Sequence, residues 1–405
     1  MKRSFYFYRV LTVTLFLGLC SAQVHAKNPY PNVGTCNGLP QVNLKTPEKT
    51  CVGVVASDLK TPRGVLPLSD NELWVTEMGS WERNRGRLSR LVWDGKAFVR
   101  STILDKLDRP HGIALGVDGW IYVGEADKII RLKNAANAAT TVETVVDNLP
   151  STGHHPLKQI ALNGNDIYIA VGAETDHCER SDSALNEVKF PCAESNRSLP
   201  TAAIWRVNVA NGKAGKIEVV AKGLRNSMGM AFAKNGQLVQ TENSRDNIAR
   251  SDKKLNDAQL PHDEINVIRQ GADYGWPYCF DNNRLIPEYQ LYRKACIGKS
   301  KPTLFLPAHS APLGLTQYPN NGNIAALRGM WLIALHGYRD GGHRVVGFAA
   351  DSNGLPTGAL KNVIGGWRAT DNQPMGAPTE IRVAPSGAIY ITDDRNDSIL
   401  RLSAQ

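Results

Sequence analysis

Apolar positions along this chain fall in short β-rich runs, not in helical stripes, and the runs recur in six related copies. Each copy has a small or polar lead-in, a first apolar run, a turn of Gly, Asp or Asn, and a second run that most often carries an aromatic residue. The copies read RGVLPLSDNELWVTE from Arg63, HGIALGVDGWIYVGE from His111, KQIALNGNDIYIAVG from Lys158, MGMAFAKNGQLVQTE from Met228, LGLTQYPNNGNIAALRGMWLIALHG from Leu313 and TEIRVAPSGAIYITD from Thr379. Asp118-Gly119, Asn235-Gly236 and Ser386-Gly387 supply the positive φ that tight hairpins need. The first three copies start about 48 residues apart, the length of four strands with their turns. A four-stranded sheet repeated radially is a propeller blade, so the pattern predicts an all-β, six-bladed β-propeller that gathers loops from every blade at one mouth.

Two further features refine this picture. The β-rich segment Thr50–Asp58 precedes the first copy and is expected to pair with Ser398–Leu402 and close the ring. The later blades carry insertions over Glu174–Leu199, Ser251–His262 and Phe280–Leu306, and long loops in a compact domain are usually functional. No linker or low-complexity region divides the chain, so one propeller domain is expected over 27–405.

The first residues stand apart from this pattern. Lys2, Arg3 and Arg9 precede a short apolar run from Leu11 to Cys20, and Val24-His25-Ala26 is an acceptable cleavage site, so residues 1–26 read as a signal peptide. The run is shorter than the roughly 20 residues a membrane span needs, and no later segment approaches that length. Removing it leaves six cysteines: Cys36, Cys51, Cys178, Cys192, Cys279 and Cys296. They fall into three close pairs, and the economical expectation is that neighbours bond, which places the protein in the periplasm or outside the cell. No C-x-x-C occurs, which argues against a zinc ribbon. The formal charge of +9 drops to about +6 without the three cations of the signal. With no basic run of five or six residues, nucleic-acid binding is disfavoured. A few arginines serving an anionic ligand in a pocket suit the pattern better.

Several strings are not propeller punctuation: Gly153-His154-His155-Pro156-Leu157-Lys158, Gly223-Leu224-Arg225-Asn226, Thr241-Glu242-Asn243-Ser244-Arg245, Asp263-Glu264-Ile265-Asn266, Asp273-Tyr274-Gly275-Trp276-Pro277, Ala308-His309-Ser310-Ala311-Pro312-Leu313-Gly314 and Ala334-Leu335-His336-Gly337-Tyr338-Arg339. In this order they resemble the glucose/sorbosone dehydrogenase family over essentially the whole mature chain. The last two strings resemble its sorbosone dehydrogenase-like branch. Members are soluble quinoprotein propellers that oxidise sugars with pyrroloquinoline quinone (PQQ) and calcium. The resemblance implies His155 as general base, a residue type suited to taking a hydroxyl proton near neutral pH. It implies Arg225 and Asn226 as contacts of the quinone oxygens, where a cation and an amide stabilise arriving charge. It also implies the carbonyls of Ser244 and Arg245 as calcium ligands, since calcium takes hard oxygens.

The departures fall on the cations expected around the cofactor's carboxylates. The family's lysine position reads His336, and its two blade-six arginines align near Ala377 and Thr379. Arg339, Arg344 and Arg368 in neighbouring loops are the expected substitutes, and Arg109 and His111 are expected to line a sugar entrance. The partners implied are a small sugar or sugar aldehyde and a separate electron acceptor. No nicotinamide fingerprint is present. Two other readings stay open: a calcium-dependent lactonase with Glu77, Glu242 and Asp393 converging on an axial metal, and a non-catalytic propeller binding carbohydrate or protein.

Overall fold

The computed structural model describes residues 29–133, 140–181, 187–337, 339, 341–367 and 376–405. The signal peptide expected over 1–26 lies outside them. The described residues form the all-β, six-bladed propeller that the repeats predict. Blade 1 comprises Pro62–Ser69, Glu72–Glu77, Gly86–Trp93 and Phe98–Leu107, and blade 2 Ile113–Leu115, Ile121–Gly124, Ile129–Leu132 and Val142–Val146. Blade 3 comprises Ile160–Asn163, Asp166–Val171, Ala203–Ala210 and Glu218–Lys222, and blade 4 Ser227–Phe232, Leu238–Glu242, Asp263–Val267 and Leu304–Leu306. Blade 5 comprises Pro312–Gln317, Trp331–Leu335, Arg344–Ala350 and Pro356–Ile364. Blade 6 takes Pro378–Val383, Ile389–Asp393 and Ser398–Ala404 from the end of the chain and its outer strand, Thr50–Ala56, from the beginning. The expected closure of the ring is therefore made by antiparallel pairing of the two ends. The first strand of every blade contacts the first strand of the next, all the way round.

Alternation along the strands explains the packing. One apolar cluster fills each blade-to-blade seam, for example Val65, Leu73, Val75, Tyr390 and Ile399 between blades 6 and 1, and Val239, Ile265, Leu315, Ile333 and Val346 between blades 4 and 5. Each sheet buries both faces, which is what a radial array of blades requires. The three expected disulfides are present: Cys36–Cys51, Cys178–Cys192 and Cys279–Cys296. Loops of this length give about 3 kcal/mol each in the chain-entropy account. Each of the latter two closes a loop within one insertion, and the two pack together in a cluster with Trp276, Tyr278 and Tyr289.

The axis is closed by a feature that the repeat hides. Four copies place glycine at their second position, at Gly64, Gly112, Gly229 and Gly314, while the opposed blades 3 and 6 place Gln159 and Glu380 there. Gln159 Nε2 donates to Glu380 Oε2 across the axis at 3.0 Å. The glycines make room: a Cβ on Gly112 would lie 2.6 Å from Gln159 Oε1, and one on Gly64 only 2.4 Å from the His111 carbonyl oxygen. Thr76, Thr241 and Thr392 stitch the ring by accepting from their own blade's inner strand and donating to the next blade, as when Thr76 Oγ1 donates to the His111 carbonyl at 2.7 Å. Gly64→Ala should therefore destabilise the protein by about 1–3 kcal/mol, the usual cost of overpacking a rigid core. Urea denaturation with an unchanged m-value would show it; an unchanged midpoint would contradict the close approach.

Candidate active site

Loops at one end of the propeller enclose a cavity of about 570 Å³, within the range of small-ligand pockets. Blades 1, 3, 4, 5 and 6 contribute to its wall and blade 2 does not. The floor is a buried apolar patch of Met78, Leu157, Met228 and Leu313, one from each of four blades. Above it the wall is polar, with Arg63, His155, Arg225, Asn226, Asp246, Asp263, His309, His336, Asp394 and Arg395.

His155 enters from the loop before blade 3. Lys158, itself fully buried, braces that loop by donating Nζ–H to the carbonyls of Pro150 (2.6 Å) and Pro156 (2.5 Å). The His155 Nδ1 atom lies 2.8 Å from the Ala173 carbonyl oxygen, which can only accept. Nδ1 therefore carries the proton, and Nε2 is the basic nitrogen. Burial, reinforced by the Arg225 charge, pushes the imidazole down to about 3, so it is neutral over the ordinary working range.

Arg225 has every N–H committed. Nε donates to the Asp176 carbonyl at 3.1 Å, Nη1 to the carbonyls of Asn243 (3.1 Å) and Ser244 (2.9 Å), and Nη2 to the carboxylates of Asp176 (2.5 Å) and Asp246 (3.0 Å). Burial opposes ionisation of Asp176, but Arg225 and His177 outweigh it and hold the carboxyl well below its ordinary range. Next to Arg225, the Asn226 side-chain amide lines the cavity and makes no hydrogen bond to another described residue.

On the facing wall, His336 Nε2 lies 2.9 Å from Asp394 Oδ1, Asp394 pairs with Arg63, and Arg63 Nε donates to His111 Nδ1 at 3.1 Å. Burial opposes the Asp394 charge, yet His336 and Arg63 hold it down at about 2. His111, fully buried behind Arg63, is pushed well below the ordinary histidine value by that burial and by the Arg63 charge. Arg395 also lines the wall, is exposed, and has no ion pair among the described residues.

Of the residues singled out from the sequence, His155, Arg225, Asn226, Ser244 and His336 line this cavity. The others are placed elsewhere. His111 supports Arg63 from behind, and Arg109 turns to Asp108 at 2.7 Å and to the Ser151 carbonyl at 3.2 Å; neither lines an entrance. Arg344 bonds Asn362 at 2.9 Å and lines a separate cavity at the side of blade 5. Arg339 is exposed outside the wall, and Arg368 lies outside the described residues. Arg245, expected to offer its backbone carbonyl, is not among the residues that line the cavity, and its side chain is buried against Glu288 at 2.8 Å. The lactonase carboxylates do not converge: Glu77, Glu242 and Asp393 are buried and accept the backbone N–H groups of Lys60, Asn226 and Ala377. They are a repeated structural device, absent from the wall. Sequence reasoning missed Arg63, Asp394, Arg395 and Trp81. Only the positions of Arg63 at the head of the first repeat and Asp394 directly after the last hinted at them.

Two sets of oxygens bear on a metal. At the cavity, the Ser244 carbonyl and the Asp246 carboxylate both already accept from Arg225, so a guanidinium stands where a cation would bind. In blade 4, Glu242 and Glu264 face each other across the ladder and Gln240 faces Asn266. All four are buried, and Gln240 Oε1 and Asn266 Oδ1 accept no hydrogen bond among the described residues. Burial, the Glu242 charge and nearby acids push Glu264 well above the ordinary glutamate value. Glu242 already accepts from the Asn226 N–H, Ser227 Oγ and Gln240 Nε2, so Glu264 and the two amide oxygens are the buried, donor-poor oxygens of the kind calcium takes.

The profile of the family described as TrAA12-like matches residues 45–405. The chain belongs to the TrAA12-like family. Its resemblance to soluble PQQ-dependent sugar dehydrogenases is thereby upheld. An uncharacterized protein of Borreliella burgdorferi is 27% identical over 380 residues, covering 89% of this chain and 90% of that one. Quinoprotein glucose dehydrogenase B of Acinetobacter calcoaceticus is 25% identical over 277 residues, 55% of this chain and 52% of that protein. The holo PQQ domain of pyranose dehydrogenase from Coprinopsis cinerea superposes with a TM-score of 0.71 over 91% of this chain and 99% of that domain; at 18% identity the likeness is one of fold. For a TrAA12-like chain, the mouth at which the loops of five blades meet is the expected place for a ligand.

Proposed function

We propose that this protein is a PQQ-dependent dehydrogenase of an aldose or a sugar-derived aldehyde of the sorbosone type, working outside the cytoplasm and passing its electrons to a separate acceptor. The observation that carries the reading is the His155 geometry: a neutral imidazole, its Nδ1 proton fixed on the Ala173 carbonyl, at the wall of a polar cavity with an apolar floor. The residues suit a flat, anionic cofactor. The apolar floor would pack against its rings, the Asn226 amide is uncommitted, and Arg395 together with Arg63, itself paired with Asp394, offers positive charge. On this reading Arg395 takes the cationic place that Ala377 and Thr379 vacate. Bound there, PQQ would accept the hydride that leaves the sugar carbon.

The chain's own part is to take a proton and hold charge. His155 Nε2 takes the hydroxyl proton as the carbon is oxidised. Arg225, saturated by its own partners, acts through a fixed positive charge beside that base, which costs no reorganisation during reaction. Location outside the cytoplasm is supported by the three disulfides, and among the described residues no helix is long and apolar enough to cross a membrane. Calcium is assigned on the same reading to the buried oxygens of blade 4, because Arg225 already engages those of the cavity.

Calorimetric titration of the metal-stripped protein with PQQ, with and without calcium, tests this. Binding of PQQ, followed by dye-linked oxidation of aldoses, is expected. Calcium should raise the melting temperature with or without PQQ, since a ligand of the folded state alone stabilises it. Absence of PQQ binding in both conditions would overturn the reading in favour of a binding propeller.

A further inference from the structure

The chain has eight tryptophans, and seven of them are spoken for. Trp74, Trp205, Trp276, Trp331 and Trp367 are buried and donate their indole N–H within the fold. Trp93 packs on Phe98 with centroids 5.3 Å apart, and Trp120 lies under Arg131 at 4.1 Å. Trp81 is different. It is 62% exposed, it lines the cavity, and it has no ring, hydrogen-bond or cation partner among the described residues.

Its loop is braced at both ends. Met78, at the start, is buried in the cavity floor, and its N–H donates to the Thr61 carbonyl at 2.9 Å. Gly79, at φ +76°, lets the chain turn against Arg85, whose carbonyl oxygen would lie 2.1 Å from any Cβ. Beyond the tryptophan, Arg83 clamps Asp108 at 2.9 Å and Asp127 at 2.7 Å in blade 2. The loop thus climbs from the floor to the rim and holds an uncovered indole there. A singly exposed apolar side chain is ordinary; Trp81 is set apart because it also lines the ligand-sized cavity, where aromatic side chains commonly serve ligands.

Resting on the dehydrogenase reading, we infer that Trp81 is a stacking platform for a second sugar ring, the one that follows the ring oxidised at His155. The C–H-lined face of a pyranose is apolar and slightly positive, and the indole face is apolar and negative, so the two complement each other. The sugar hydroxyls then project sideways to the polar wall and to water. The substrate class is accordingly a disaccharide or longer oligosaccharide with a free reducing end, bound from the deep polar wall to the rim.

Glucose and cellobiose distinguish this from a site for single sugars. Binding is followed by calorimetry on the PQQ-free protein and KM is measured on the PQQ-loaded protein, each for wild type, Trp81→Ala and Trp81→Phe, with far-UV circular dichroism to confirm folding. Cellobiose should bind more tightly than glucose. Trp81→Ala should shrink that preference about tenfold, the equivalent of about 1.4 kcal/mol, and Trp81→Phe should retain most of it. A preference unchanged in Trp81→Ala, or none in wild type, overturns the platform and leaves the dehydrogenase reading intact. A wild type that neither binds PQQ nor takes either sugar overturns both.

Discussion

Replacing His155 with alanine should lower the turnover of sugar by a factor of about 10²–10⁴, the usual contribution of a positioned general base. Dye-linked steady-state assays on matched PQQ-loaded samples measure it, and a loss below tenfold would remove His155 from the role. The pH profile is a second, independent reading. A base must be unprotonated to act, so activity falls as pH falls through its pKa. Burial and Arg225 set that value at about 3. The acid limb of kcat/KM, which reports the free enzyme, should therefore lie far below the 6.5 of an ordinary histidine, leaving His155 silent between about pH 5 and 8. An acid limb near 6.5 that disappears in His155→Gln would show that the imidazole is solvated in the working enzyme, against the packing described here.

The second large effect is expected at Arg225. Its guanidinium joins blades 3 and 4 through Asp176, Asn243, Ser244 and Asp246. Removing one member of a buried pair strands the other, at a cost of about 3–5 kcal/mol. Arg225→Ala should therefore lower the urea midpoint strongly as well as the activity, and adding Asp176→Asn should restore part of the stability. The acid side of the stability curve carries the sign. Asp176 is depressed far below its unfolded value of about 3.9, so the stability it lends is present above that value and lost as pH falls below it. Wild type should lose stability over that acid range and Arg225→Ala should lose much less. Two parallel curves would mean that Asp176 draws its stabilisation from His177, 2.9 Å away, and not from Arg225.

Both residues were legible in the sequence, as were Asn226, Ser244 and His336, because each lies in a short string that resembles the family's own motif at the same offset from a strand. Offsets of that kind place a residue at the mouth. They do not say which way it points. His111 opens blade 2 as Arg63 opens blade 1, yet Arg63 lines the cavity and His111 is buried behind it with its Nδ1 accepting from Arg63. Arg109, two residues earlier, is drawn off by Asp108. Arg339 and Arg344 follow the correct strand of blade 5 but stand outside the wall, while the lining cation Arg395 comes from the loop after the second strand of blade 6.

What the chain determined by itself was everything set by local periodicity and short loops. β-rich runs with turn residues between them, repeated as four-strand units, bury both sheet faces by stacking as blades. Six copies and a spare β segment at the start close the ring, and cysteines 14 to 17 residues apart in three separate segments bond to their neighbours. What only the tertiary structure decided depends on residues hundreds of positions apart meeting at one axis. Gln159 answers Glu380, Arg63 answers Asp394, and a braced loop of blade 1 leaves Trp81 bare above a floor drawn from four blades. No local pattern encodes these pairings, because the ring closure that brings them within hydrogen-bonding distance is a property of all six seams at once.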